Sequence, residues 1–332
     1  MNDTHIAADG ILDAHRRVTV VGAGVIGTSW TALFLANGLT VTVTDPLPDA
    51  DRQLHDQLRQ TVPTLRALGL PTADLDRNLR FEADLGKAVA DADVVQENGP
   101  ERLDVKQDLF ARIEQAARPD ALLLSSTSGI RATDIAQALR QPERLVIGHP
   151  FNPPHLIPLV EVVPGERTGQ DVVERAVAFY TALGKKPQVL RKEVPGFVAN
   201  RLQAALFREA VNLVVEGVVT ESELDNIVTS SIGLRWAVAG PFQSFHLGGG
   251  PGGLPHFLEH LGPGLESLWR DLGTPELDEP TNQLLSGQAH FGASVEELEA
   301  ARDAAQIKVL QAASAPLALT TEPARKRVAS DD

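Results

Sequence analysis

The chain has 332 residues, enough for about two domains and a sizeable core. It contains no cysteine, which excludes disulfides, thiolate metal sites and thiol nucleophiles, and no apolar run approaches the roughly 18 residues of a membrane helix. A formal net charge of -14 with no basic patch argues against nucleic-acid binding; it also gives an anionic substrate no long-range steering, so an acid would need a local cation to hold it.

The first fifteen residues, MNDTHIAADGILDAH, lack the basic-then-apolar order of a signal peptide and are expected to form a disordered leader. From Arg17 the pattern alternates short β-branched runs with helical segments. Strands are expected at RVTVV, TVTVT (40–44), DVVQE (93–97), ALLLSS (121–126), RLVIGH (144–149), LVEVV (159–163) and PQVLR (187–191). Helices are expected at 25–37, then, after the strand 40–44, over a longer stretch to about Leu68 with a break at Pro63, and at 104–117, 132–140 and 169–183. Such alternation implies a mostly parallel sheet covered on both faces.

The texture changes near Pro195. Residues 196–218 read as one long helix, with Leu202, Leu206, Ala210 and Leu213 on one face. Capping boxes at Thr220–Glu223 and Ser294–Glu297 announce further helices, and no strand pattern follows. The expected organisation is a leader over 1–15, an α/β domain over 16–195, an all-helical domain over 196–312 and a disordered tail over 313–332.

VTVVGAGVIGTSW holds Gly22-x-Gly24-x-x-Gly27 between a strand and a helix. Gly22 suits the tight turn, Gly24 lets the backbone approach a pyrophosphate, and Gly27 lets helix and strand pack closely. The helix N-terminus, with Val25 and Ile26 inside the motif, offers N–H groups to the anion. Asp45, at the end of the second strand, can accept from both hydroxyls of an adenine ribose and would repel a 2′-phosphate, which favours NAD over NADP; it can also be a turn residue before Pro46. Residues 16–195 are thus expected to form an α/β Rossmann-type NAD-binding domain, with the all-helical domain C-terminal to it. A second match, Gly248-x-Gly250-x-x-Gly253, has no strand before it and reads as a helix-connecting loop.

Strand ends in an open α/β sheet face the ligand crevice, and His149 and Ser128 both follow strands. Glu161 lies in an apolar run, where an ionised carboxylate needs a partner. Asn200 opens the long helix. Taken singly, His149 can be structural, Ser128 or Thr127 an N-cap, and Asn200 a packing hydrogen bond. His149 and His155 lack a third ligand, so no metal site is expected.

VVGAGVIG, the SSTS turn, GHPFNPPHLIPLVEVV and GFVANRL, in that order, resemble the 3-hydroxyacyl-CoA dehydrogenase family over about residues 17 to 312. The resemblance implies an NAD-dependent oxidoreductase in which His149 is the general base, Glu161 orients it, and Ser128 and Asn200 bind the substrate oxygen. It places Glu101 and Lys106, in PERLDVK, near the nicotinamide end of the cofactor. It also implies a homodimer paired through the helical domain, in the cytoplasm.

The family's CoA-using members resemble one another in a lysine-rich helical hairpin after the second strand, whereas DRQLHDQLRQTVPTLRALGLPTADLDRNLR contains no lysine. GLRWAVAGPFQSFHL (233–247) is instead similar to the lambda-crystallin (L-gulonate 3-dehydrogenase) and bacterial L-carnitine dehydrogenase subgroup. That implies a small free L-3-hydroxy acid as substrate, with Arg235 gripping its carboxylate. Trp236 and Phe245 are either pocket-lining or core. The other readings are an L-carnitine 3-dehydrogenase, an L-3-hydroxyacyl-CoA dehydrogenase and a catalytically idle NAD-binding structural protein.

Overall fold

The computed structural model describes residues 10–73 and 75–313. Two compact units divide between Phe207 and Arg208. The expected tail from 314 and the leader up to residue 9 lie outside the described residues. The rest of that leader is docked: residues 10–14 are helical, Leu12 packs on the core, and the buried His15 ring tilts against Phe179 at 5.8 Å.

The first unit is built on an eight-stranded sheet: β1 (Arg17–Val21), β2 (Thr40–Thr44), β3 (Leu79–Phe81), β4 (Val94–Glu97), β5 (Leu122–Ser125), β6 (Leu145–Pro150), β7 (Leu159–Pro164) and β8 (Lys186–Val189). Its order is β3-β2-β1-β4-β5-β6-β7-β8. All neighbours are parallel except β6 and β7. The chain reverses direction of travel across the sheet at β1/β4, which opens a crevice at the strand C-termini. Near-continuous apolar strands such as LLLS in β5 are buried on both faces, as parallel strands under helices must be.

Helices α1 (Val25–Ala36) and α2 (Ala50–Ala67) follow β1 and β2, α3 (Leu85–Val89) follows β3, and α4 (Leu103–Ala116) follows β4. After β5 comes α5 (Ala132–Ile135), and after β7 comes α6 (Gln170–Ala182). On one face Trp30 stacks on Phe34 at 5.4 Å and packs beside Phe179 and Tyr180. On the other, Phe110 and Ile113 cover Val95 and Leu123. Each such side chain contributes about 1.5–3 kcal/mol by leaving water.

Several expectations need correction. Helix α2 runs through Pro63 without a break, because Pro63 is exposed and the carbonyl left without its donor can be hydrated. Strand β3 is too short for alternation to show. The helix expected at 132–140 is α5 followed by a 3-10 turn. The long helix, α7 (Ala199–Val215), starts three residues late, since Gly196 and Phe197 take φ of 72° and 52°. Leu202 and Leu206, expected on its packed face, are exposed. Gly248–Gly253 connects helices, as expected from its lack of a preceding strand.

The second unit continues with α8 (Glu221–Ser230), α9 (Ile232–Trp236), α10 (Pro241–Gly248), α11 (Gly253–Asp271), α12 (Glu279–Gln288) and α13 (Val295–Ala313). Thr220 and Glu223 close the expected capping box. Phe245 stacks on Phe257 at 4.7 Å within this unit. No helix among the described residues is long and apolar enough to cross a membrane.

Gly148 in β6 lies directly against Tyr180: a Cβ there would sit 1.9 Å from the phenol oxygen. Gly148→Ala is therefore expected to destabilise by about 1–3 kcal/mol through overpacking. A urea melt reads this, and an unchanged midpoint would mean that Tyr180 can move aside.

Candidate active site

The glycine motif stands where β1 turns into α1. Gly22 has φ 96°, and a Cβ on it would meet the Asn98 carbonyl oxygen at 2.8 Å. A Cβ on Gly27 would lie 1.8 Å from the Gly22 oxygen, so helix and turn touch backbone to backbone. Gly24 differs: nothing lies within 4 Å of where its Cβ would be. It caps α1 with no side-chain bond, leaving the first-turn N–H groups facing open space beside exposed Val25. This is a cradle for an anion, and it fits the pyrophosphate of NAD. Asp45 Oδ2 accepts from Ala23 N at 2.8 Å and Oδ1 from Leu47 N at 2.9 Å, so the carboxylate is fixed beside the motif.

Beyond the motif lies a cavity of about 550 Å³ within the first unit. Ile26, Glu101, Lys106, Ser128, His149 and Asn200 all line it. Six residues singled out in the sequence thus meet around one space.

His149 and Glu161 are direct partners across the antiparallel β6/β7 pairing. His149 Nδ1 is 2.8 Å from Glu161 Oε2, and both side chains are almost wholly buried. Glu161 Oε1 accepts from the N–H groups of Val198 and Ala199, at 2.9 and 3.0 Å. Burial alone would push this carboxyl up. The His149 hydrogen bond and the two backbone amides outweigh it and hold the group below its ordinary 4.5. An ionised carboxylate only accepts, so Nδ1 carries the imidazole proton and Nε2 keeps its lone pair. Phe151 and Phe197 flank the ring at 5.4 and 5.3 Å and fix its plane.

Glu101 organises the turn after β5. One oxygen, Oε1, accepts from Thr127 Oγ1 at 2.6 Å, Ser128 N at 2.9 Å, Ser128 Oγ at 3.2 Å and Gly129 N at 3.0 Å. Burial pushes this carboxyl up, but these donors and the Lys106 charge hold it below its ordinary value. Asn200 Nδ2 donates to the Ser128 carbonyl at 3.3 Å, so the start of α7 and this turn are joined.

Lys106 lies deeper than a cofactor contact requires. Only 1% exposed, it donates to Glu97 Oε1 and Oε2 at 2.8 and 3.0 Å and to the Gly99 carbonyl at 3.1 Å, with Glu101 3.7 Å away. Glu97 was not anticipated from sequence. It is fully buried, and it also accepts from Ser125 Oγ and Gly99 N, both at 2.6 Å. Its one signal was an acid at the end of the short strand VVQE. Asn98 and Ser126 were missed too. Ser126 Oγ donates to Asn98 Oδ1 at 2.7 Å and accepts from Gln96 and Trp30, and Gln96 in turn accepts from Tyr180. No cluster of three or more potential metal ligands occurs among the described residues.

Arg235 belongs to the second unit, where it is exposed on α9, and Trp236 beside it is 42% exposed.

Comparison with known proteins gives the family. Residues 17–194 match the model of the 3-hydroxyacyl-CoA dehydrogenase NAD-binding domain, and residues 196–272 match that family's C-terminal domain. The chain is 49% identical over 300 residues to an L-carnitine dehydrogenase of Streptomyces coelicolor, covering 90% of this chain and 94% of the relative. An L-carnitine dehydrogenase of Pseudomonas aeruginosa is 46% identical over 295 residues, covering 88% and 92%. Among solved structures, 5-formyl-3-hydroxy-2-methylpyridine 4-carboxylic acid 5-dehydrogenase, an NAD+-dependent dismutase, superposes with a TM-score of 0.79 at 32% identity, covering 90% of this chain and 99% of the other. The chain belongs to the 3-hydroxyacyl-CoA dehydrogenase family and is an NAD-dependent oxidoreductase that acts on the CH–OH group of a 3-hydroxy acid.

Proposed function

We propose that the substrate is a small free L-3-hydroxy acid, L-carnitine in the first place, oxidised to its 3-oxo acid. The observation that carries this reading is the buried His149–Glu161 pair, of which His149 lines the cavity. The relatives that share the chain's length supply the substrate, since they are named L-carnitine dehydrogenases. The absence of lysine between β2 and β3 runs against a CoA 3′-phosphate.

When bound, NAD supplies the hydride acceptor. His149 Nε2 takes the hydroxyl proton as the carbon gives up hydride, a task suited to an imidazole near neutral pH. Glu161 keeps the tautomer and stabilises the imidazolium that forms. Ser128 and Asn200 hold the substrate oxygen and oppose its developing charge. The first-turn amides at Gly24, Val25 and Ile26 take the pyrophosphate, and Asp45 takes the ribose hydroxyls. Glu101 and Lys106 act on the nicotinamide side by shaping the 127–129 turn and the cavity floor. Arg235 is assigned to the substrate carboxylate, the local cation that an acidic chain needs.

A substrate panel with L-carnitine, L-gulonate, 3-hydroxybutyrate and 3-hydroxybutyryl-CoA at fixed NAD, read by NADH absorbance, tests the assignment. L-carnitine should turn over fastest; preference for the CoA ester would reverse the reading, and no turnover of any would point to a different 3-hydroxy acid. In the same assay His149→Ala should lose turnover while still binding NADH. Asp45→Ala should accept NADP, and Arg235→Ala should raise KM by about tenfold or more, as loss of a charged hydrogen bond does.

The lowered Glu161 carboxyl has a consequence for acid stability. Its folded-state value lies below the unfolded one, so its contribution is present above about pH 4.5 and is lost as pH falls through the folded value. The stability gap between the wild type and Glu161→Gln, wide at neutral pH, should narrow on acidification. Thermal melts across that range check it; a constant gap would mean an unshifted carboxyl.

We also propose a homodimer joined by the second unit, where Phe242, Leu247 and Trp269 are 78%, 67% and 63% exposed. Such side chains are seldom left to water in numbers. Light scattering should give twice the 35.6 kDa chain mass, and a monomer would refute the pairing.

A further inference from the structure

The segment between His149 and Glu161 has its own fastening. Its first residues, Pro150, Phe151 and Asn152, line the cavity. Its far half is gripped from behind. Lys185, 7% exposed, donates through Nζ to the Pro154 carbonyl at 2.5 Å and also to the Ile157 carbonyl. The same ammonium lies 5.5 Å over the Trp30 ring. No carboxylate pairs with it among the described residues, and burial lowers it to about 7. Two carbonyls and an indole face replace the water that this cation has lost.

A second fastener comes from Ser29, the residue before Trp30 on α1. Ser29 Oγ is 2.8 Å from His155 Nδ1 and accepts from His155 N at 2.9 Å. Lys186 N donates to the Pro158 carbonyl at 2.8 Å and secures the segment's end. Ser29 and Trp30 are on α1, whose first turn is the anion cradle. Trp30 also donates to Ser126 in the cavity wall. Buried lysines without an acid partner are costly to keep, and a sheet connection alone does not need one.

We propose that Lys185 is a positioning residue for the reaction: with Ser29 it clamps segment 150–158 onto α1, and so sets the cavity wall at Pro150–Asn152 and the placement of His149. This rests on the reading of His149 as the base. The clamp acts through the loop's carbonyls and touches neither substrate nor cofactor. A wall displaced by about 1 Å costs on the order of a hundredfold in rate.

The test uses the full-length protein with NAD and the substrate that the panel selects. Lys185→Met keeps the length and removes the donors. The expected result has three parts. The value of kcat/KM for the hydroxy acid falls about tenfold or more. The kinetic isotope effect from deuterium on the reacting carbon rises, because the chemical step becomes limiting. Amide exchange rises at Phe151, Asn152 and His155–Ile157 but not in β1, β4 or β5. A kcat/KM within about twofold of wild type overturns the proposal, as does an exchange increase spread evenly over the sheet. Should Lys185→Met fail to fold, Ser29→Ala removes the other fastener at little steric cost. It should show the same local exchange and a smaller loss of kcat/KM; unchanged kinetics there overturn the clamp. Failure of the base assignment is separate, since it would appear as an active His149→Ala whatever Lys185 does.

Discussion

The carboxylate of Glu161 is the point on which the rest of the site depends. One oxygen faces the His149 imidazole and the other takes two consecutive backbone amides at the head of α7. A buried carboxylate is tolerable only with such donors, and each donor is in turn fixed by it. The residue before those amides, Phe197, has φ 52°, a conformation that costs a bulky side chain about 1–3 kcal/mol. That strain is held in place by full burial and by contact with the His149 ring. Removing the carboxylate would leave the imidazole N–H and the two helix amides without their acceptor, at about 1–3 kcal/mol for each buried donor left unpaired.

A second acidic centre, Glu97, has the same logic deeper in the sheet. It joins β4, β5 and α4 through Ser125, Gly99 and Lys106. Glu101 then spreads from Lys106 to the turn that carries Ser128. The rigidity of the substrate-facing turn is therefore inherited from charges that never meet the substrate. Beside it the line Tyr180–Gln96–Ser126–Asn98 carries hydrogen bonds from the core to the cavity wall.

What the sequence could show follows from how local each signal is. The glycine motif is a strand, a turn and a helix start in one short stretch, so its reading needed no distant contact. His149 and Glu161 stood out as polar residues in otherwise apolar strand runs, and their roles as base and orienter were implied by the resemblance. Lys106 was picked out by resemblance, yet its main partner, Glu97, left only the trace of an acid at the end of the strand VVQE. Lys185 left none: the first lysine of Gly-Lys-Lys after a helix end looks like solvated surface, and only the fold shows it covered. Helix periodicity misled at α7, where Leu202 and Leu206 have the spacing of a packed face without being packed within the chain. Pro63 misled because a proline breaks a helix only where its lost bond cannot be replaced.

The reversal of direction between β6 and β7 carries a consequence for how such a site can diversify. His149 and Glu161 are twelve residues apart in sequence but opposite each other in the ladder. Their separation is set by strand register, and the connection between them is free of that duty. The front of the connection forms the wall that a substrate meets; the back is anchored through main-chain carbonyls, which any side chain can offer. Substitutions along the front can therefore alter which hydroxy acid is admitted while the proton-transfer pair stays at fixed spacing. Selectivity and chemistry are thereby placed on separately mutable parts of one hairpin.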